Sequence, residues 1–163
     1  MAQITLSDLA HSYVHNGAET GGFALKTLNH VWQDGGAYAL LGPSGCGKTT
    51  LLNIISGLIT PSRGRVLFDG VDMTESPAEK HNIAQVFQFP VVYDIMTVRE
   101  NLAFPLKNRG LARAAIQARV ALIAEMMGLG DILDRKARGL PADAKQKISL
   151  ARGMVRESVN AIL

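Results

Sequence analysis

Three glycines, a lysine and a threonine are spaced to hold a chain of phosphates: Gly42, Gly45, Gly47, Lys48 and Thr49. Glycine has no Cβ, so the backbone there can turn tightly and approach a bulky anion. Successive main-chain N–H groups then converge as an anion nest at the positive end of a following helix. Lys48 brings a mobile cation suited to β- and γ-phosphates. The Thr49 hydroxyl is a hard oxygen ligand of the kind Mg²⁺ prefers. Gly42, four residues, then Gly47-Lys48-Thr49 is the spacing of the phosphate loop. The candidate nucleotide-binding stretch is therefore Gly42, Pro43, Ser44, Gly45, Cys46, Gly47, Lys48, Thr49 and Thr50. Cys46 reads either as a small filler or as a thiol activated by the helix N-terminus.

Such a loop needs a strand before it and a helix after it. Ala39, Leu40 and Leu41 read as the end of a buried strand. Leu51, Ile54, Ile55 and Leu58 fall at i, i+3, i+4 and i+7, one buried face of a helix. Short strands are expected over 3–9, 25–32 and 65–68, with a polar, Gly-rich loop over 15–22 and turns at Asp34-Gly35-Gly36 and Asp69-Gly70. They predict a small, mainly antiparallel layer. A buried strand over 83–87 ends at Gln88. The pattern then turns helical. Thr97 and Glu100 form a capping box for a helix over 97–106. Ile116, Val120, Ile123 and Met127 give a second stripe, ended by Gly128 and Gly130. A basic segment over 131–138 is expected on the surface. Pro141 suits a first helical position, followed by a stripe of Ala144, Ile148, Ala151 and Val155. Residues 160–163 open another buried strand.

The chain has 163 residues, a length for one domain, with 47% hydrophobic and 19% charged residues, an ordinary globular balance. A net charge of +3 is too mild to point to nucleic acid. No apolar run is long enough to span a bilayer, and the opening MAQITLSDLA lacks the regions of a signal peptide. With one cysteine there is no intrachain disulfide. This suits a cytosolic protein that reaches a membrane through a partner.

Several stretches together resemble the ATP-binding subunit of an ATP-binding-cassette (ABC) importer. They are GPSGCGKTTLL, the run Gln85-Val86-Phe87-Gln88, the run Met96-Thr97-Val98-Arg99-Glu100-Asn101-Leu102, and Ile148-Ser149-Leu150-Ala151-Arg152-Gly153. The third is similar to a run found in sugar and polyol importers. GGAYALLGPSGCGKTTLLNIISGL and VFQFPVVYD are similar to an ATPase subunit of bacterial glycerol importers. The resemblance implies an α/β fold, a P-loop NTPase of the ABC ATPase type. It would have an antiparallel β subdomain and a helical subdomain and be C-terminally incomplete. The parts would be 1–88 (nucleotide-binding), 89–156 (helical) and 157–163 (the start of the Walker B strand). The implied cofactors are ATP and Mg²⁺. Tyr13 would be the aromatic that stacks on adenine, although a lone tyrosine at a strand end also serves as packing. Gln88 would contact Mg²⁺ or the attacking water and sense the γ-phosphate, an amide being able both to donate and to accept. The implied partners are transmembrane permease subunits, a second ATPase subunit and, indirectly, a solute-binding protein, but no nucleic acid. The implied place is the cytoplasmic face of the bacterial inner membrane. The apolar residues Val91, Val92, Tyr93, Ile95 and Met96 read equally as a docking surface for those partners and as a satellite core.

Two departures stand out. Where the family carries the signature L-S-G-G-Q, this chain has Leu140-Pro141-Ala142-Asp143-Ala144. The serine hydroxyl and both glycines are gone, Pro141 has no N–H, and Asp143 would face a triphosphate with negative charge. This motivates a heterodimer in which an intact signature comes from a different chain. Residues 161–163 resemble the opening of the Walker B strand without its carboxylates, so nucleotide binding without turnover is expected of these 163 residues. Alternatives are a soluble ABC-type ATPase acting on nucleic acid, or a small kinase or GTPase. The guanine motif N-K-x-D of a GTPase is nowhere in the chain.

Overall fold

The computed structural model describes residues 1–14 and 24–163, so the loop expected over 15–22 lies outside the described residues. The chain divides into two compact units, Met1–Ile83 and Ala84–Leu163.

The first unit is built on a four-stranded antiparallel sheet of β1 (Ile4–His11), β2 (Leu25–Trp32), β3 (Arg63–Phe68) and β4 (Val71–Asp72), in the order β2-β1-β3-β4. Ile4 and Leu6 point inward by alternation, but Leu9, Ala10 and His11 are then buried in succession. The break comes at Asp8, which has φ 48° and sits where both pairings of β1 shift register. Its backbone N–H donates to Asn29 Oδ1 (2.6 Å) and its carboxylate accepts from Asn29 Nδ2 (2.9 Å). The bulge also fixes the residue opposite it. A Cβ on Gly64 would lie 2.3 Å from Asp8 O, so a side chain there would expel the neighbouring strand. Asp69 and Gly70, both at positive φ, close β3 onto β4 as a two-residue type I′ hairpin, the turn read from Asp-Gly.

Helix α1 (Lys48–Ile55) buries Thr50, Leu51, Ile54 and Ile55. Leu58, expected on the same face, is 55% exposed. The helix stops before it. Leu58 N–H bonds Asn53 O and Gly57 N–H bonds Ile54 O, with Gly57 at φ 73°, which together form a Schellman ending. A Cβ at Gly57 would strike His81, which follows in the short helix α2 (Ala78–His81). His81 is buried, with Nδ1 2.8 Å from Ile55 O, Nε2 3.1 Å from Ser76 O and its ring edge-on to Phe68.

The strand expected to end at Ala39-Leu40-Leu41 is not formed. Residues 37–41 lie in no strand, and Leu41 is 87% exposed. A strand exists only through its hydrogen-bonded neighbours, and among the described residues none lies alongside. The strand expected over 83–87 is likewise shortened to β5 (Ile83–Ala84), paired with β6 (Ala161–Ile162). Leu163 N–H donates to Ala84 O and Leu163 O accepts from Val86 N–H, the parallel pattern. Phe87, expected within that strand, is exposed.

The second unit is a helical layer of α3 (Val98–Lys107), α4 (Arg113–Met126), a 3-10 turn at Gly130–Ile132 and α5 (Ala142–Met154). Its core interleaves Val98, Leu102 and Leu106 with Ile116, Val120 and Ile123 and with Ile148, Ala151 and Val155. The capping box forms in full: Thr97 Oγ1 accepts Glu100 N–H (3.1 Å) and Glu100 Oε2 accepts Thr97 N–H (2.8 Å). Residues 131–138 need correction. Arg135, Lys136 and Arg138 are exposed as expected, but the backbone is docked and Ala137 is fully buried. Arg135 O and Leu133 O accept the N–H groups of Val98 and Arg99, which the first turn of α3 cannot satisfy itself. Arg99 adds a two-pronged ion pair to Asp134 (2.8 and 3.0 Å). Pro141 sits one residue earlier than expected, at the N-cap of α5, where its carbonyl accepts the first helical bond from Lys145 N–H.

Candidate functional site

The phosphate loop is shaped by steric limits at its glycines. Gly45 has φ 79° and Gly47 φ 91°, conformations that L side chains rarely adopt. A Cβ on Gly47 would also lie 2.3 Å from Ala24 O, at the entry to β2. A Cβ on Gly42 would meet Cys46 Sγ at 2.6 Å, and one on Gly45 would meet nothing. The loop is thus pinned at Gly47, filled from within by Cys46, and open at Gly45. Pro43, Ser44 and Cys46 are exposed.

Lys48, the first residue of α1, folds over this loop. Its Nζ donates to Gly42 O (2.7 Å) and Pro43 O (2.8 Å) and lies 3.5 Å from Cys46 Sγ. Helix α1 has no side-chain cap and no acidic residue in its first turn, so neither its N-cap nor its first turn competes there with an anion. Thr49 is exposed beside it, and Thr50 is buried. The Thr50 hydroxyl lies 3.1 Å from the Tyr13 hydroxyl. Tyr13 is 61% exposed and meets His11 edge-to-face, with ring centroids 4.6 Å apart. Ser62 Oγ lies 3.3 Å from His11 Nδ1 and accepts Ser12 N–H, tying down the strand end that carries Tyr13. The first unit therefore brings Tyr13, the loop and Thr50 together. Gln88 belongs to the second unit, exposed at a bend.

These residues fit a Mg²⁺-polyphosphate. They offer a loop with no Cβ at Gly42, Gly45 and Gly47, a cation that can exchange its carbonyl partners for phosphate oxygens, and an exposed hydroxyl at Thr49. Among the described residues no three His, Cys, Asp or Glu gather as a metal site. A divalent ion here would rest on the Thr49 hydroxyl and on phosphate and water oxygens, the hard oxygen set Mg²⁺ favours.

At the signature position, Leu140 is buried, while Pro141, Ala142 and Asp143 are exposed. Asp143 stands in the first turn of α5 and faces that helix's positive end itself.

The profile of the ABC transporter family matches residues 25–163. The chain belongs to the ABC transporter family. It is similar to an sn-glycerol-3-phosphate import ATP-binding protein of Rhizobium johnstonii, 43% identical over 96% of this chain and 43% of that one. It is also similar to a molybdate/tungstate import ATP-binding protein of Pyrococcus abyssi (43% identical over 83% and 39%) and to a trehalose/maltose import ATP-binding protein of Thermococcus litoralis (41% over 82% and 38%). The chain spans less than half the length of these relatives. Among solved structures it matches cbiO1 from Clostridium perfringens, part of an ABC transporter complex, with TM-score 0.81 and 28% identity over 93% of this chain and 61% of that one. An ATP-binding cassette bound to ADP and Pi matches with TM-score 0.79 and 25% identity over 93% and 69%. The α/β fold is that of the ABC ATPases, a family that binds and hydrolyses ATP. Among the described residues no helix is long and apolar enough to cross a membrane.

Two structural features escaped the sequence reading. Asn101, noted only within a family-like run, is fully buried. Arg152 lies over the Tyr93 ring at 4.6 Å. A polar residue on the buried face of α3, between Val98 and Leu102, was the available signal for Asn101. For Arg152 the signal needed the fold.

Proposed function

We propose that this chain is the nucleotide-binding part of an import ATPase that binds Mg-ATP at Gly42–Thr50 and energises solute uptake across a bacterial inner membrane. The observation that carries this is Lys48, closed over the Gly42 and Pro43 carbonyls at the mouth of a loop that has no Cβ in its way. Bound Mg-ATP supplies the phosphoanhydride whose cleavage drives transport. The main-chain amides and Lys48 hold its phosphates, Thr49 contributes a metal ligand, and Tyr13 supplies the ring for adenine. Gln88 is the candidate for contact with metal and water. Glycerol or a related polyol or sugar is the proposed cargo. The named relatives serve sn-glycerol-3-phosphate, molybdate/tungstate or trehalose/maltose, so the likeness supports import more firmly than any one solute. The test is Mg-ATP affinity by calorimetry: Lys48→Ala should weaken it at least tenfold while circular dichroism is unchanged. Equal affinity in a folded variant would refute the reading.

The partners we propose are permease subunits at the cytoplasmic face of the membrane, reached through the exposed row Phe89, Val91, Tyr93 and Ile95. A solute-binding protein would act through them. The second ATPase subunit is a different chain, because Pro141, Ala142 and Asp143 leave the start of α5 with no hydroxyl or glycine to meet a phosphate and add a carboxylate instead. Cooperative ATP turnover by a homodimer of this chain would eliminate the heterodimer.

A further inference from the structure

Residues 89–96 belong to no helix or strand, yet side chains from two helices grip their main chain. From α3, Asn101 brackets Tyr93: its Oδ1 accepts Tyr93 N–H (2.8 Å), and its Nδ2 donates to Tyr93 O (3.0 Å) and Thr97 O (3.0 Å). From α5, Ser149 Oγ accepts Val91 N–H (3.3 Å), Arg152 Nη1 donates to Val91 O, and the Arg152 guanidinium covers the Tyr93 ring. Lys145 reaches Asp94 at 2.8 Å. Lys145, Ser149 and Arg152 fall at i, i+4 and i+7, a polar stripe beside the apolar one of Ile148, Ala151 and Val155. Arg152 Nε is buried and has no hydrogen-bond partner among the described residues. The guanidinium is thus placed by its Nη1 bond to Val91 O and by the Tyr93 ring beneath it.

The held segment displays an apolar row. Phe89, Val91, Tyr93 and Ile95 are all exposed, while Val92 packs on the helical core. Loose apolar loops lose conformational freedom when a partner docks, whereas a strap already ordered by its own helices does not.

We propose that Asn101, Ser149 and Arg152 are positioning residues that hold 91–93 as a preformed strap, so that its apolar row is ready for an apolar helix of a membrane subunit. This rests on the docking reading above. It also assigns α5 a role that survives its altered start: the helix lacks phosphate-contacting groups at 141–143 but keeps the residues that fasten the strap.

Amide exchange followed by NMR on the 163-residue chain tests this. The Val91 and Tyr93 amides should exchange on the order of tenfold or more slowly than those of Phe89 and Ile95. Arg152→Gln and Asn101→Ala should each erase that protection while α4 amides and Mg-ATP affinity stay unchanged. Arg152→Lys should restore part of it. Unprotected amides at 91 and 93 in the unaltered chain would overturn the proposal, with no variant needed. So would equal loss of protection in α4, which would mark a general packing role, or protection that survives both variants. A separate arm addresses docking. Ile95→Asp should keep the strap protected but reduce binding of the apolar dye 1-anilinonaphthalene-8-sulfonate about twofold or more. Unchanged dye binding would overturn the docking reading and the purpose given to the strap, while leaving the grip of Asn101 and Arg152 intact.

Discussion

Gly47 is the residue on which the loop turns, and two independent constraints meet there. Its φ of 91° disfavours any L side chain, and Ala24 O occupies the place a Cβ would take. Gly47→Ala should therefore lower stability by about 1–2 kcal/mol from the backbone alone, with more from the clash, read as a lower denaturant midpoint. Gly45→Ala meets no atom and should cost only the backbone part. Tyr13 invites a subtler pair of variants. Tyr13→Phe removes the hydroxyl facing Thr50 and keeps the ring, so Mg-ATP affinity should hold. Tyr13→Ala should lose about 1–3 kcal/mol of base stacking, roughly 5- to 150-fold in Kd. Equal affinities for all three would remove Tyr13 from the site. The spacing of glycines, lysine and threonine made this cradle legible in advance, because the geometry is local and backbone-driven. Asn101 left one trace, a polar residue on the apolar face of α3, whereas Arg152 left none, since its partners at 91–93 lie in irregular chain, where no periodicity marks the contact.

At the scale of elements, α3 is held at its start by three kinds of contact: the Thr97–Glu100 box, the carbonyls of residues 133 and 135, and the Arg99–Asp134 pair. Thr97→Ala should cost about 1 kcal/mol of stability, seen in urea unfolding. Two of these carboxylates also set a pH response. The Thr97 N–H holds Glu100 below the usual carboxylate range, and the Arg99 hydrogen bond does the same for Asp134. A folded-state value below the unfolded one means that stabilisation is complete above the unfolded pKa of about 4. It is lost as pH falls through the lower folded value. Acid unfolding should accordingly begin at a higher pH in Glu100→Gln, which lacks the charge at every pH, than a neutral surface change would give; identical acid profiles would contradict this. The box was readable from Thr97 and Glu100 alone. The docking of 131–138 was not, because its bonds run through main-chain carbonyls that leave no trace in side-chain type.

For the whole molecule, charge is unevenly shared: the first unit carries five Lys and Arg against seven Asp and Glu, and the second twelve against seven. A mild overall charge thus conceals a basic helical layer. Residues 37–41 were misread for a reason that also operates at this scale. Their apolar character predicted a buried strand, yet residues 37–41 are exposed; a strand is a relation between segments, and no described segment supplies the other half. The apolar side chains left uncovered there should make the isolated chain self-associate, with sedimentation shifting to larger species at tens of micromolar protein. The cradle is consequently moored unequally. Downstream, α1 is stopped by Gly57 and wedged against His81; upstream, Tyr38, Leu40 and Leu41 stand in solvent. Among the described residues, the contacts that fasten the phosphate loop to its surroundings lie on the helical side, where Gly57 and His81 lock the end of α1.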